Sequence, residues 1–170
     1  MEVIQIVGYK NSGKTTTAKR LIDVFSKSGI RVASLKHHGH GGIPQGMENT
    51  DSAKHLQAGS VVAGVEGEGV LQLRTQGHWQ MDQMIAIYQI MNLEVLVIEG
   101  FKQESYKKIV VINKEEDLIL LSQVTNILAV ITSFPVKEVS SSYTIFNRSD
   151  LNKLCNWIVE NYKSKIKSTN

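Results

Sequence analysis

Hydrophobic and polar positions follow two periods along the chain, and the switches between them mark out its elements. Residues 2–7 begin in alternation and then turn apolar, with β-branched side chains, before Gly8, which predicts a buried strand. Ala18, Leu21, Ile22 and Phe25 recur at helical spacing and stop at Ser28-Gly29, a helix closed by a glycine. A second strand is predicted over 30–35. From Lys36 to Asn49 the periodicity lapses into a long loop. Thr50 then caps a short helix that reaches Gln57 and closes at Ala58-Gly59. Residues 60–65 and 70–74 read as two strands around the turn Glu66-Gly67-Glu68-Gly69.

Further on, Met81, Met84, Ile85, Tyr88 and Met91 mark an amphipathic helix whose methionines are expected in the core. Short apolar strands follow over 95–98, 108–113 and 126–131, with an edge strand over 143–146. Leu151, Leu154, Cys155, Ile158 and Tyr162 describe a closing helix, capped near Ser149. Strands alternating with helices, several of them apolar on both faces, predict an α/β fold with a mostly parallel sheet flanked by helices on both faces. A length of 170 residues suits a single domain over 1–170.

Directly after the first strand stands Gly8-Tyr9-Lys10-Asn11-Ser12-Gly13-Lys14-Thr15, which matches G-x-x-x-x-G-K-[ST], the P-loop. Its glycines let successive N–H groups turn toward a phosphate, and the following helix adds its positive end. Gly8, Asn11, Ser12, Gly13, Lys14, Thr15 and Thr16 are therefore the expected nucleotide-binding residues. Lys14 would reach the β- and γ-phosphates, the Thr15 hydroxyl would hold Mg²⁺, and Thr16 would lie near the α-phosphate, with Thr17 beginning the helix. The metal needs an acid as well. Glu99 follows four apolar residues and precedes Gly100, which puts a carboxylate at the C-terminal edge of the sheet. Asp51 has two readings, a residue near the γ-phosphate or a first-turn acid on its helix dipole.

Charge and composition narrow the partners. The formal net charge of +3 suits an anionic ligand and supplies no concentrated basic face for nucleic acid. Lys163, Lys165 and Lys167 are expected in a frayed, solvated tail. No apolar run approaches the about 18 residues that cross a bilayer, and the short, acidic start does not suit a signal peptide. The lone Cys155 allows no internal disulfide, fits a buried thiol and is compatible with a cytoplasmic setting. His37, His38 and His40 could bind a metal, yet they lie among glycines without a nearby thiolate, and a polar loop beside the ligand is the preferred reading.

These motifs taken together resemble the bacterial molybdopterin-guanine dinucleotide biosynthesis protein B family. The matching residues are Gly8–Thr16, Lys36-His37-His38 with His40, Asp51-Ser52 and Ala58-Gly59. The narrowest of them is Ile98-Glu99-Gly100-Phe101-Lys102, joined by Lys108-Ile109-Val110. The resemblance implies a dimeric P-loop protein that binds GTP with Mg²⁺ and hydrolyses it slowly. It also implies an accessory role beside the nucleotidyltransferase that joins a GMP unit to molybdopterin. Glu94 departs from the aspartate common in the family, as does the acidic segment after Ile112.

Guanine preference comes from that resemblance. Asn113-Lys114-Glu115-Glu116 is similar to a guanine-reading element but follows Glu99 too closely. It reads instead as a strand end and a charged turn, and Ile131–Pro135 is the other segment that could border the base. A nickel-delivering GTPase and a small-molecule kinase are the alternatives. Scattered Arg20, Arg31, Arg74 and Arg148 offer no arginine-bearing lid for the kinase, and Cys155 is in the wrong element for metal delivery.

Overall fold

The structure, a computed structural model, describes residues 1–39, 50–136 and 142–168. It divides into two compact units, residues 1–37 with 87–170 and residues 38–86. The first is built on a six-stranded sheet in which every pairing is parallel. Its strands are β1 (Glu2–Gly8), β2 (Val32–Lys36), β5 (Val95–Glu99), β6 (Lys107–Ile112), β7 (Ile127–Thr132) and β8 (Ile145–Asn147), in the order β2-β5-β1-β6-β7-β8.

The apolar runs explain that order. All five residues of β5 are buried, as are the last five of β1 and of β6, so these strands take the middle of the sheet. One face is covered by α1 (Lys14–Lys27) and the closing α5 (Leu151–Lys167), where Leu21 and Phe25 pack with Leu154, Cys155 and Ile158 over Ile6, Val97 and Ile109. Phe25 meets Tyr162 edge-on at 5.8 Å. On the opposite face, Leu120 and Leu121 of the short α4 (Leu120–Gln123) pack with Val124 over Val7, Val110 and Val130. The expected α/β fold with helices on both faces is what forms.

Several details differ from the sequence reading. A 3-10 turn over Glu115–Ile119 leads into α4, where only a charged turn was expected, because Asp117 is buried and accepts from the Asn113 N–H. The stretch before α5 is a 3-10 turn capped by the Asn147 side chain, rather than a helix capped at Ser149. The C-terminal lysines are not frayed up to residue 168. Lys165 lies in the last turns of α5 and pairs with Glu2 at 2.8 Å, and positive charge there also suits the helix dipole.

The second unit holds α2 (Asp51–Gln57) and the antiparallel hairpin of β3 (Val62–Gly67) and β4 (Val70–Thr75). Glu68 and Gly69 both have positive φ, the pair of angles a two-residue hairpin turn requires. The boundary between the units falls within α3 (Met81–Gln89). Met81 and Ile85 are buried there as expected, but Met91 lies beyond the helix and is exposed. Its carbonyl accepts from Arg31 instead.

Candidate functional site

The phosphate loop is shaped by three backbone requirements. Asn11 and Gly13 adopt positive φ of 58° and 98°, which turns the chain sharply enough for α1 to start at Lys14. That is three residues earlier than the expected start at Thr17, so Lys14, Thr15 and Thr16 form the first turn. Gly8 approaches its surroundings closely: a Cβ there would lie 2.5 Å from Ser12 Oγ and 2.7 Å from the Val111 carbonyl oxygen. Ser12 is fully buried, and its hydroxyl has no hydrogen-bond partner among the described residues.

The start of α1 suits an anion. No side chain caps it and no acid stands in its first turn, whereas α2 is capped by Thr50 and carries Asp51. The Lys14 ammonium lies over the loop, 2.6 Å from the Tyr9 carbonyl oxygen. Burial lowers the Lys14 pKa; Glu99 opposes this, and the positive charges of Lys102 and Lys36 add to it.

Glu99 ends β5, where its register partners are Ile6 on β1 and Lys36 on β2. The Thr15 hydroxyl reaches its carboxylate, 2.9 Å from Oε1 and 3.1 Å from Oε2. The Lys36 ammonium lies 3.1 Å from Glu99 Oε1 and donates to Thr15 Oγ1 at 3.3 Å. A hydroxyl and a nearly buried carboxylate make a hard, oxygen-only donor set of the kind Mg²⁺ prefers, and an ammonium already bridges them, so the residues fit a cation.

The loop after Glu99 is held in an unusual conformation. Gly100 and Phe101 have φ of 97° and 54° in succession. A Cβ on Gly100 would come within 2.9 Å of His37 Cβ, so both backbone angle and space demand glycine. The buried Gln5 amide donates to the carbonyls of Gly100 and Phe101 at 3.1 and 2.8 Å. The Phe101 ring rests 4.6 Å from that of His37. This turn brings Lys102 over the Tyr9 ring at 4.1 Å.

On the other side of the loop, Arg148 donates from Nη2 to the Ser12 carbonyl and from Nη1 to Asn113 Oδ1, the latter at 3.2 Å. Its guanidinium would lie 3.5 Å from a Cβ on Gly13. Reasoning from sequence gave Lys36, Lys102 and Arg148 no role at the loop, although the first two stand in the segments that carry the resemblance, since each reaches it through long-range strand order.

The remaining candidates are placed as follows. Asp51 belongs to the second unit, where it heads α2 and pairs with Lys54 at 2.8 Å. His37 packs on Phe101, and His40 lies outside the described residues. Among the described residues no group of three or more His, Cys, Asp or Glu is arranged to hold a metal. Glu115 and Glu116 are exposed, and Thr132 exchanges hydrogen bonds with the Phe134 backbone. No described helix is long and apolar enough to cross a membrane.

Comparison with known proteins adds the family. Residues 3–133 match the sequence profile described as Molybdopterin guanine dinucleotide synthesis protein B. The chain belongs to that family. A Bacillus subtilis relative, described as a probable molybdopterin-guanine dinucleotide biosynthesis adapter protein, is 44% identical over 130 residues, covering 76% of this chain and 75% of that protein. A Haemophilus influenzae relative, described as a molybdopterin-guanine dinucleotide biosynthesis adapter protein, is 29% identical over 148 residues, 86% of this chain and 82% of its own. The crystal structure of Bacillus subtilis MobB superposes with a TM-score of 0.81 at 35% identity, over 94% of this chain and 97% of that one. The MobB homologue from Bacillus stearothermophilus gives 0.78 at 32% identity, over 96% and 99%.

Proposed function

We propose that this chain is a GTP-binding accessory protein of molybdenum cofactor biosynthesis. In this reading it assists the nucleotidyltransferase that attaches GMP to molybdopterin, and it hydrolyses GTP weakly. The observation that carries the proposal is the Thr15 hydroxyl held against both oxygens of Glu99 at an uncapped helix start, with the Lys14 ammonium over the loop. Family membership and the adapter description of the relatives supply the pathway.

Each group has a chemical task. The first-turn N–H groups of α1 and the Lys14 ammonium bind the phosphates. Thr15 and Glu99 are the residues that would hold Mg²⁺, which when bound neutralises phosphate charge. Arg148 and Asn113 keep the Ser12–Gly13 backbone in place from the β8 side. Asp51 keeps its place in the proposal as a residue that orients water, and loss of residual GTP hydrolysis in Asp51→Asn tests it.

The chain is proposed to act as a cytoplasmic single-domain protein and as a homodimer. The hairpin supports the dimer. Val62, Val65, Val70, Leu71 and Leu73 are all exposed on a two-stranded sheet, a form that is marginal without further packing. Sedimentation of the chain tests this directly.

Calorimetric titration of GTP and ATP with Mg²⁺, into wild type and Lys14→Ala, tests the central reading. The expected result is a preference for GTP and loss of at least about a hundredfold in affinity in a folded variant. Unchanged affinity in Lys14→Ala overturns it, and a preference for ATP transfers the site to the kinase reading.

A further inference from the structure

Lys36 and Glu99 face each other across neighbouring parallel strands, at the last residues of β2 and β5. Strand register therefore sets the two residues opposite each other at the sheet edge. The ammonium lies 3.1 Å from Glu99 Oε1 and 3.3 Å from Thr15 Oγ1. The same hydroxyl is in turn bonded to both carboxylate oxygens. Thus one positive group supplied by the chain is bracketed by the hydroxyl and carboxylate proposed above to hold the metal.

The two partners differ in freedom. The Glu99 side chain is 10% exposed and that of Lys36 is 60% exposed. A carboxylate so nearly buried is costly without a cation, whereas the lysine stem is free to swing once its head is released. A divalent ion held by Glu99 and Thr15 would take the same oxygens that the ammonium now contacts. The ammonium would then share that carboxylate with a divalent charge, a strongly repulsive arrangement. On that ground ammonium and metal compete for Glu99.

We propose that Lys36 is the resident counter-ion of the Glu99–Thr15 pair, that a divalent cation arriving with a nucleoside triphosphate displaces it, and that the released ammonium then binds the terminal phosphate. This rests on the reading of Thr15 and Glu99 as metal-holding residues and adds a role for the lysine between them. The reason for coupling metal to triphosphate is the surrounding charge. Lys36 pairs with Glu99, and the charges of Lys102 and Lys36 both act on Lys14, so an ammonium leaving Glu99 enters a region of like charge until a triphosphate supplies an anion. Metal alone must expel the lysine into a positive field, while metal with triphosphate gives it a new partner.

Mn²⁺ serves as the probe, because its free-ion paramagnetic resonance signal reports binding without any turnover. Lys36→Met should bind Mn²⁺ in the absence of nucleotide at least about tenfold more tightly than wild type. Lys36→Arg, which keeps the charge, should stay close to wild type. Adding a non-hydrolysable GTP analogue should tighten Mn²⁺ binding strongly in wild type and much less in Lys36→Met. Equal Mn²⁺ affinities for wild type and Lys36→Met, or no Mn²⁺ binding by either, overturn the proposal. A gain that survives Glu99→Gln in the Lys36→Met background overturns it too, because the metal is then elsewhere. Failure of the nucleotide reading has a different signature, namely GTP binding that persists in Lys14→Ala.

Discussion

Arg148 donates to the carbonyl oxygen of Ser12, so the corner between β8 and α5 grips the phosphate loop from a point 136 residues away in sequence. The second arm of the guanidinium is held by Asn113 at the end of β6. Arg148→Ala removes both bonds and leaves the buried Ser12 backbone without its charged donor. A loss of about 1–2 kcal/mol in unfolding free energy is expected, together with weaker GTP binding. Arg148→Lys should recover little of either, since one ammonium cannot span two acceptors that a planar fork reaches. Denaturant titration and calorimetry on the two variants check this.

A different long-range contact contributes to the behaviour in acid. Burial alone would raise the Glu2 pKa, but hydrogen bonds from Lys107 and Lys165 outweigh it and leave the carboxyl below its ordinary 4.5. The folded chain then binds that proton less readily than the unfolded one. Its contribution to stability is present above about pH 4.5 and is lost as the pH falls through the lower folded value. Glu2→Gln should cost about 1 kcal/mol or less at neutral pH and almost nothing in acid. Denaturation midpoints of both proteins along a pH series give the comparison.

Cys155 should be chemically quiet in the native chain. It is fully buried between α5 and α1, and burial pushes its thiol up to about 11, against a smaller opposing pull from Arg20. At pH 8 its thiolate is then about a thousandth of the total. A thiol reagent that labels the denatured chain completely should leave the native chain unmodified over the same interval. Rapid native labelling would mean that the α1–α5 layer opens readily.

How much of this could be read from the residues alone depends on where each constraint originates. The phosphate loop was legible because glycines, lysine and threonine act at short range and in fixed spacing. Glu99 was legible too, because four apolar residues before an acid locate a strand end. Lys36 was not, since its partner is set by β5 entering beside β2, a pairing with no local signature. The same holds for Arg148 at Ser12 and Lys165 at Glu2. Met91 was assigned to the core on helical spacing, but α3 stops at Gln89 and the spacing continues past the element that would give it meaning. Asn147 took the capping role from Ser149 because its side chain satisfied the earlier 3-10 turn first.

The order β2-β5-β1 also constrains how the chain comes together. β1 and β2 are joined by α1 alone, yet they never pair with each other. A strand arriving only after residues 37–94 must enter the gap between them. During synthesis the first two strands therefore wait with their inner edges unpaired, while the β3–β4 hairpin can close on local contacts. The gap between β2 and β1 is filled only when Val95–Glu99 enters it, the same event that delivers the carboxylate to Thr15 and Lys36. Closure of the gap between β2 and β1 and assembly of the Glu99–Thr15 contact are therefore one step, and the contact does not exist until β5 is in place.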